Sequence, residues 1–229
     1  MQRNLKDPAT QWLLVSGAVG AFGFVIVALA AGSVRPQYNP LYHHISALSL
    51  GEGGWIQITN FIVTGVLLLF FALGLRRALV TGSGAVWGPI LIGAFGLGLI
   101  AAGVFVQDPA FGYPPGAPAG IPEAHTVHGT LHNVVSLVVF GSLPAACFVF
   151  SRRFLASRNR GWAAYSLLTG FAVLAFIIMS SVVLFRGGPA GLFQRLSVGA
   201  GWLWVGLLAI RLIRERRKIA VAGERAFVA

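Results

Sequence analysis

Six long apolar runs, at about 11–31, 57–79, 85–106, 131–151, 162–184 and 196–213, alternate with short stretches that hold most of the charge. Each run is close to the ~20 residues that an α-helix needs to cross a ~30 Å hydrocarbon layer. The pattern predicts an all-α fold: a polytopic membrane protein folded as one bundle of six transmembrane helices over residues 1–229. Residues 214–229 read as a basic tail that carries the last helix past the membrane before it frays. Composition agrees. The chain is 56% hydrophobic and 10% charged, with a mean hydropathy of +0.79, whereas soluble domains carry roughly a quarter charged residues.

Charge sets the expected orientation. Fourteen basic residues, from Arg3 and Lys6 through Arg76, Arg152 and Arg160 to the tail, fall on one side of the six runs. Arg35, Arg186 and Arg195 alone fall on the other. Such an imbalance places the basic side in the cytoplasm, so both termini are expected there. The net charge of +11 then reads as a topology signal and a contact with lipid surfaces, not as nucleic-acid binding. Met1–Lys6, the apolar run and Ala28-Leu29-Ala30 together resemble a signal peptide. The run from Trp12 is longer than a usual signal core, which favours a retained first span. The one cysteine, Cys147, lies in an apolar run and reads as a small buried hydrophobe.

Within the spans, small residues recur every four positions at Ala94, Gly98 and Ala102, and at Gly17 and Ala21. Such stripes let helix backbones approach where lipid offers no hydrophobic drive. The polar residues there are uncharged: Asn60, Thr64, Asn133, Ser136, Thr169, Ser180 and Ser181. The absence of a charged group near a span centre counts against an ion-driven transporter. It leaves a passive carrier of lipid-like molecules open.

The segment Gln107–Asn133, QDPAFGYPPGAPAGIPEAHTVHGTLHN, concentrates Asp108, Glu123, His125, His128 and His132 between two apolar runs. The other histidines, His43 and His44, lie in the only comparably polar loop, on the same expected outer side. If the fourth helix has begun by His128, then His128 and His132 stand one turn apart on one face, a spacing that metals use. His125 would extend that face, with Pro122 in the first helical turn. Asp108 could orient a ligand or act as a base toward metal-bound water. His44 and Ser46 could complete the set, with zinc the metal in view and Ser46 as an alternative nucleophile. The plainer reading has the histidines solvated, capping the helix and bonding loop carbonyls. Ser46 would then cap a short surface helix, SALSL, and Tyr42 and Trp55 would anchor the loop at the interface. Arg195, opening the sixth span, could snorkel to head groups or pair with Asp108 or Glu52, and the scarcity of outer-side arginines favours the pairing.

Several of these segments together carry a resemblance. HHISALSLGEGGWIQITNF follows the first span and GLIAAGVFVQDP closes the third. HGTLHN opens the fourth, and GPAGLFQRL leads into WLWVGLLAIRL. In that order they resemble the bacterial and archaeal membrane family called domain of unknown function 998, DUF998. The resemblance implies a six-helix membrane protein and brings no activity. A weaker similarity is to the superfamily of alkaline ceramidases and adiponectin receptors, membrane hydrolases that hold zinc with Ser, Asp and three His. By residue type that similarity points to Ser46, Asp108, His44, His128 and His132, although those proteins have seven spans. Two functions stay open. One is a metal-dependent hydrolase of membrane lipids, with His44, His128 and His132 as ligands. The other is a non-enzymatic lipid-binding or envelope-stress component whose histidines hold the loop or sense pH.

Overall fold

The computed structural model describes residues 7–82 and 84–228, with side chains through Lys218. Arg3, Lys6 and the start of the signal-like segment lie outside them. Six α-helices follow in order: α1 Pro8–Val34, α2 Gly54–Ala78, α3 Trp87–Val104, α4 Val127–Ala156, α5 Arg160–Leu184 and α6 Ala190–Val228. All six are long and apolar enough to cross a membrane. Most run beyond the hydrophobic spans at one or both ends, because polar caps extend a helix past its greasy stretch. Asp7 accepts hydrogen bonds from Ala9 N and Thr10 N at the start of α1, and Asn159 accepts from Trp162 N at the start of α5. Helix α6 continues through the basic tail.

Each helix packs on its neighbours in sequence, and α6 closes back on α1. The result is a ring. Its middle is filled by aromatic rings: Trp202 lies 4.8 Å from Phe24 and 5.1 Å from Phe95, centroid to centroid, and Phe24 also meets Phe61.

Glycine sets the closest approaches. A Cβ on Gly65 would lie 2.5 Å from the Gly96 carbonyl oxygen, so α2 and α3 touch backbone to backbone. The two small-residue stripes also meet neighbours, Gly17 against Phe71 and Gly98 against Val139. The Gly65–Gly96 contact carries no four-residue repeat and was not expected.

Two long connections, 35–53 and 105–126, lie at the same end of the ring, called the loop end below. The first does not stay on the surface. Its 3₁₀ turn Ile45–Ser49 is buried throughout, packed on α1, α2 and α6. The expected surface helix is therefore a plug, because ISALS offers mostly apolar side chains to the ring. His44, not Ser46, occupies its N-cap.

Candidate functional site

The loop end is assembled by two arginines that bind backbone. Arg35, just past α1, donates to the carbonyls of Leu48, Leu50 and Glu52. Arg195, in the first turns of α6, donates to the carbonyls of Pro40 at 2.6 Å, His43 at 2.9 Å and Gly191 at 3.1 Å. It also donates to the Tyr38 hydroxyl and stacks over that ring. The expected pairing of Arg195 with Asp108 or Glu52 is thus corrected. Its guanidinium serves backbone carbonyls of the first loop and of the first turn of α6 instead of a carboxylate.

His43 ties the two loops together. Its Nδ1 accepts from Asn39 N, and its Nε2 donates to the Phe111 carbonyl at 3.1 Å. Its ring packs against Tyr38 and Tyr113. Both nitrogens are used, so His43 is structural.

Asp108 is likewise engaged. Its carboxylate accepts from Thr126 Oγ1 at 2.6 Å, Thr126 N at 3.2 Å and His125 Nδ1 at 3.0 Å. Thr126 in turn caps α4, accepting from Gly129 N. Burial disfavours the charged carboxylate, but the bonds from Thr126 and His125 outweigh it and hold the Asp108 pKa below its ordinary value. Pro122 and His125 both precede the helix, which starts at Val127. The expectation that Pro122 opens α4 and His125 extends its face is corrected. The Thr126 cap and its Asp108 partner fix the start instead.

The helix does carry His128 and His132 one turn apart, and both sit beside the end of α3. The one-turn rise separates their fates. His132 is buried, and its Nδ1 donates to the Phe105 carbonyl at 2.7 Å. His128 is exposed, with its ring against the edge of Phe105. Bonding at Nδ1 leaves Nε2 of neutral His132 as an acceptor.

A cavity of about 640 Å³ opens at this end between α4 and α5. His44, Ser46, Asp108, His125 and His132 all line it; His128 does not. A narrower space of about 60 Å³ continues toward the ring centre and shares Ser46, His132, Ser136, Phe140 and Gln194 with it. Among the described residues, no three His, Cys, Asp or Glu side chains stand as a group that could hold a metal ion.

Ser46 is buried and donates to Gln107 Oε1, so its hydroxyl proton points at an amide and not at a histidine. His44 bonds Ser180 through Nε2 at 3.0 Å, and Ser180 donates onward to the Ala190 carbonyl. The Ser180 proton is thereby committed, so His44 Nε2 is the donor and its Nδ1 an acceptor. Burial, reinforced by Arg195, His132 and His43, pushes the His44 pKa down to about 4, and the ring is neutral at ordinary pH.

Two polar residues at the site escaped the sequence reading. Gln194 is buried at the start of α6, and its Oε1 accepts from Ile45 N at 2.7 Å. Gln107 takes the Ser46 proton. The available signal was an uncharged amide beside an apolar run, next to Arg195 in one case and Asp108 in the other.

The family described as protein of unknown function DUF998 matches residues 18–211, most of the chain. The chain belongs to the DUF998 family. No curated protein and no solved structure matches it. Membership accords with the ordered motifs around His43, Asp108, His128 and Gln194. Three of those four residues, His43, Asp108 and Gln194, line one cavity. The family description assigns no chemistry to it.

Proposed function

We propose that this DUF998 protein is a multi-pass protein of the cytoplasmic membrane that binds a lipid-like amphiphile in the wide cavity. Both termini are cytoplasmic in this reading and the loop end faces outward. The fourteen-to-three distribution of basic residues supports that orientation. Membrane lipids are the partners.

The observation that carries the proposal is the two-sided chemistry of the cavity. Toward the loops it presents His44, Ser46, Gln107, His132 and Gln194. Toward the lipid it presents Leu137, Phe140, Leu174, Ile177 and Ile178. Ligand sites combine an apolar body with a few placed polar groups, and this cavity has both. A molecule with a polar head and an aliphatic chain matches both at once.

The test is lipid analysis of the protein purified in mild detergent, beside a Gly141→Phe variant. A Cβ on Gly141 meets nothing within 4 Å, and Gly141 lines the cavity, so a phenylalanine there starts from open space at the cavity wall. The expected result is an amphiphile retained near one per chain and lost in the variant. Equal retention by both proteins would overturn the proposal.

Lipid hydrolysis is the second reading, favoured by one observation: His132 holds an acceptor nitrogen, oriented by a carbonyl, in a cavity that also contains Ser46. A zinc-dependent version on His44, His128 and His132 draws less support, because His128 lies outside the cavity. Stoichiometric zinc lost in His128→Ala would restore that version. Metal-free protein with an unchanged His128→Ala variant would remove it.

A further inference from the structure

We infer that the head group bound in the wide cavity is uncharged and carries hydroxyl or carbonyl oxygen, as in a glyceride, and that its chain leaves between α4 and α5. The inference rests on the amphiphile-binding reading and narrows it to a class of lipid.

The first support is charge. Among the described residues, no arginine or lysine lines the wide cavity or the narrow space beneath it. Arg195, which acts on His44, has its guanidinium committed to Pro40, His43, Gly191 and Tyr38, and Arg186, next to the lining residue Phe185, is exposed. The charged group that does line the cavity is Asp108, held ionised by Thr126 and His125. A phosphate head would lose water, meet no arginine or lysine in the cavity wall and face a carboxylate.

The second support is the set of hydrogen-bonding valences not used within the protein. Gln194 spends its oxygen on Ile45 N and Gln107 spends its oxygen on Ser46, which leaves both amide NH₂ groups as donors. His132 donates from Nδ1 to Phe105, with the Ala102 backbone also bonded to the ring, and when neutral its Nε2 is an acceptor. A hydroxyl, which donates and accepts, satisfies both kinds. An ionised phosphate only accepts, and would oppose the lone pair of His132.

The third support is the path for the chain. Helices α4 and α5 are packed over their far halves, where Phe148 fills the notch at Gly170 and Phe154 meets Trp162. Toward the loop end the same helices line the cavity instead, with Leu137, Phe140 and Gly141 facing Leu174, Ile177 and Ser181 across it. Leu137 is 75% exposed and Ile178 60% exposed, so the gap opens sideways, where acyl chains lie.

The test uses full-length protein in nanodiscs with two photoreactive probes of identical acyl chains, a diacylglycerol and a phosphatidic acid. The diacylglycerol is expected to label α4 and α5 around Leu137–Gly141 and Leu174–Ile178, and Gly141→Phe to remove the labelling. Phosphatidic acid is expected to label at least tenfold less. A Gln107→Arg variant, which places a cation at the polar end, is expected to raise phosphatidic acid labelling. Equal or stronger labelling by phosphatidic acid in the unaltered protein overturns the head-group inference and leaves amphiphile binding standing. Labelling by neither probe, or labelling that survives Gly141→Phe, overturns both.

Discussion

The Asp108 carboxylate occupies the space that a Cβ on Gly129 would need. Gly129 is thus the residue that lets the end of α3 lean on the first turn of α4. The loop end depends on this contact, because Asp108 also receives Thr126 and His125.

Gly129→Ala is expected to destabilise the protein by about 1–3 kcal/mol, the usual cost of forcing a methyl group into an occupied site. Asp108→Ala should lose a comparable amount through the broken cap bonds. The two losses should not add, since removing the carboxylate makes room for the methyl group. A double-mutant cycle on thermal unfolding in detergent checks this, and strictly additive losses would refute the shared-space explanation.

His44 makes stability depend on pH in a definite direction. Its folded pKa, about 4, is depressed below the ordinary value of 6.5 by burial and by Arg195, His132 and His43. The unfolded chain therefore takes up a proton near pH 6.5 that the folded protein refuses until about pH 4. Stability from this group is present above pH 6.5 and falls as pH drops toward 4, by on the order of 3 kcal/mol at most. His44→Gln keeps an N–H donor for Ser180 but cannot titrate. Its melting temperature should fall less between pH 7 and pH 4.5 than that of the unaltered protein. Parallel pH curves would sink the assignment. Asp108 acts at lower pH: its depressed pKa contributes stability above the ordinary carboxylate value, and that stability is lost as pH falls through the folded pKa.

Arg195→Lys should behave as a severe substitution despite keeping the charge. The guanidinium reaches three carbonyls from Nη1 and the Tyr38 hydroxyl from Nη2, and the single nitrogen of an ammonium group cannot hold both sides of that fork. Losing the charge-assisted bond from Nη2 predicts about 1.5–3 kcal/mol of destabilisation. Protease sensitivity within 38–43 should rise in parallel. A lysine variant as stable as the parent would show that charge alone matters at this position.

The six helices were legible because an apolar run of about twenty residues has few ways to satisfy its backbone other than as a helix. The cluster around His44 and His132 was legible as a place, since polar groups are scarce in this chain. Its bonding was not. Arg195 finds partners more than 150 positions away, and nothing local tells a carbonyl acceptor from a carboxylate. Ser46 looked like a surface cap because SALSL is short and weakly polar; only the ring of helices around it reveals the plug. His128 and His132 share a spacing, and the end of α3 decides that one is buried and the other is not.

Helix contact gives the last prediction. Gly65 and Gly23 are both helical glycines, in α2 and α1. A methyl group on Gly65 would meet the Gly96 carbonyl at 2.5 Å and Ile100 at 2.6 Å, while one on Gly23 would meet nothing within 4 Å. Helix propensity alone favours alanine at both sites by roughly 0.5–1 kcal/mol. At Gly65 that gain is overrun, because the first obstacle is backbone and can yield only if α2 and α3 move apart. Gly65→Ala should therefore lower thermal stability by about 1–3 kcal/mol, and Gly23→Ala should leave it unchanged or raise it. Equal effects at the two sites would show that the α2–α3 contact is looser than backbone against backbone.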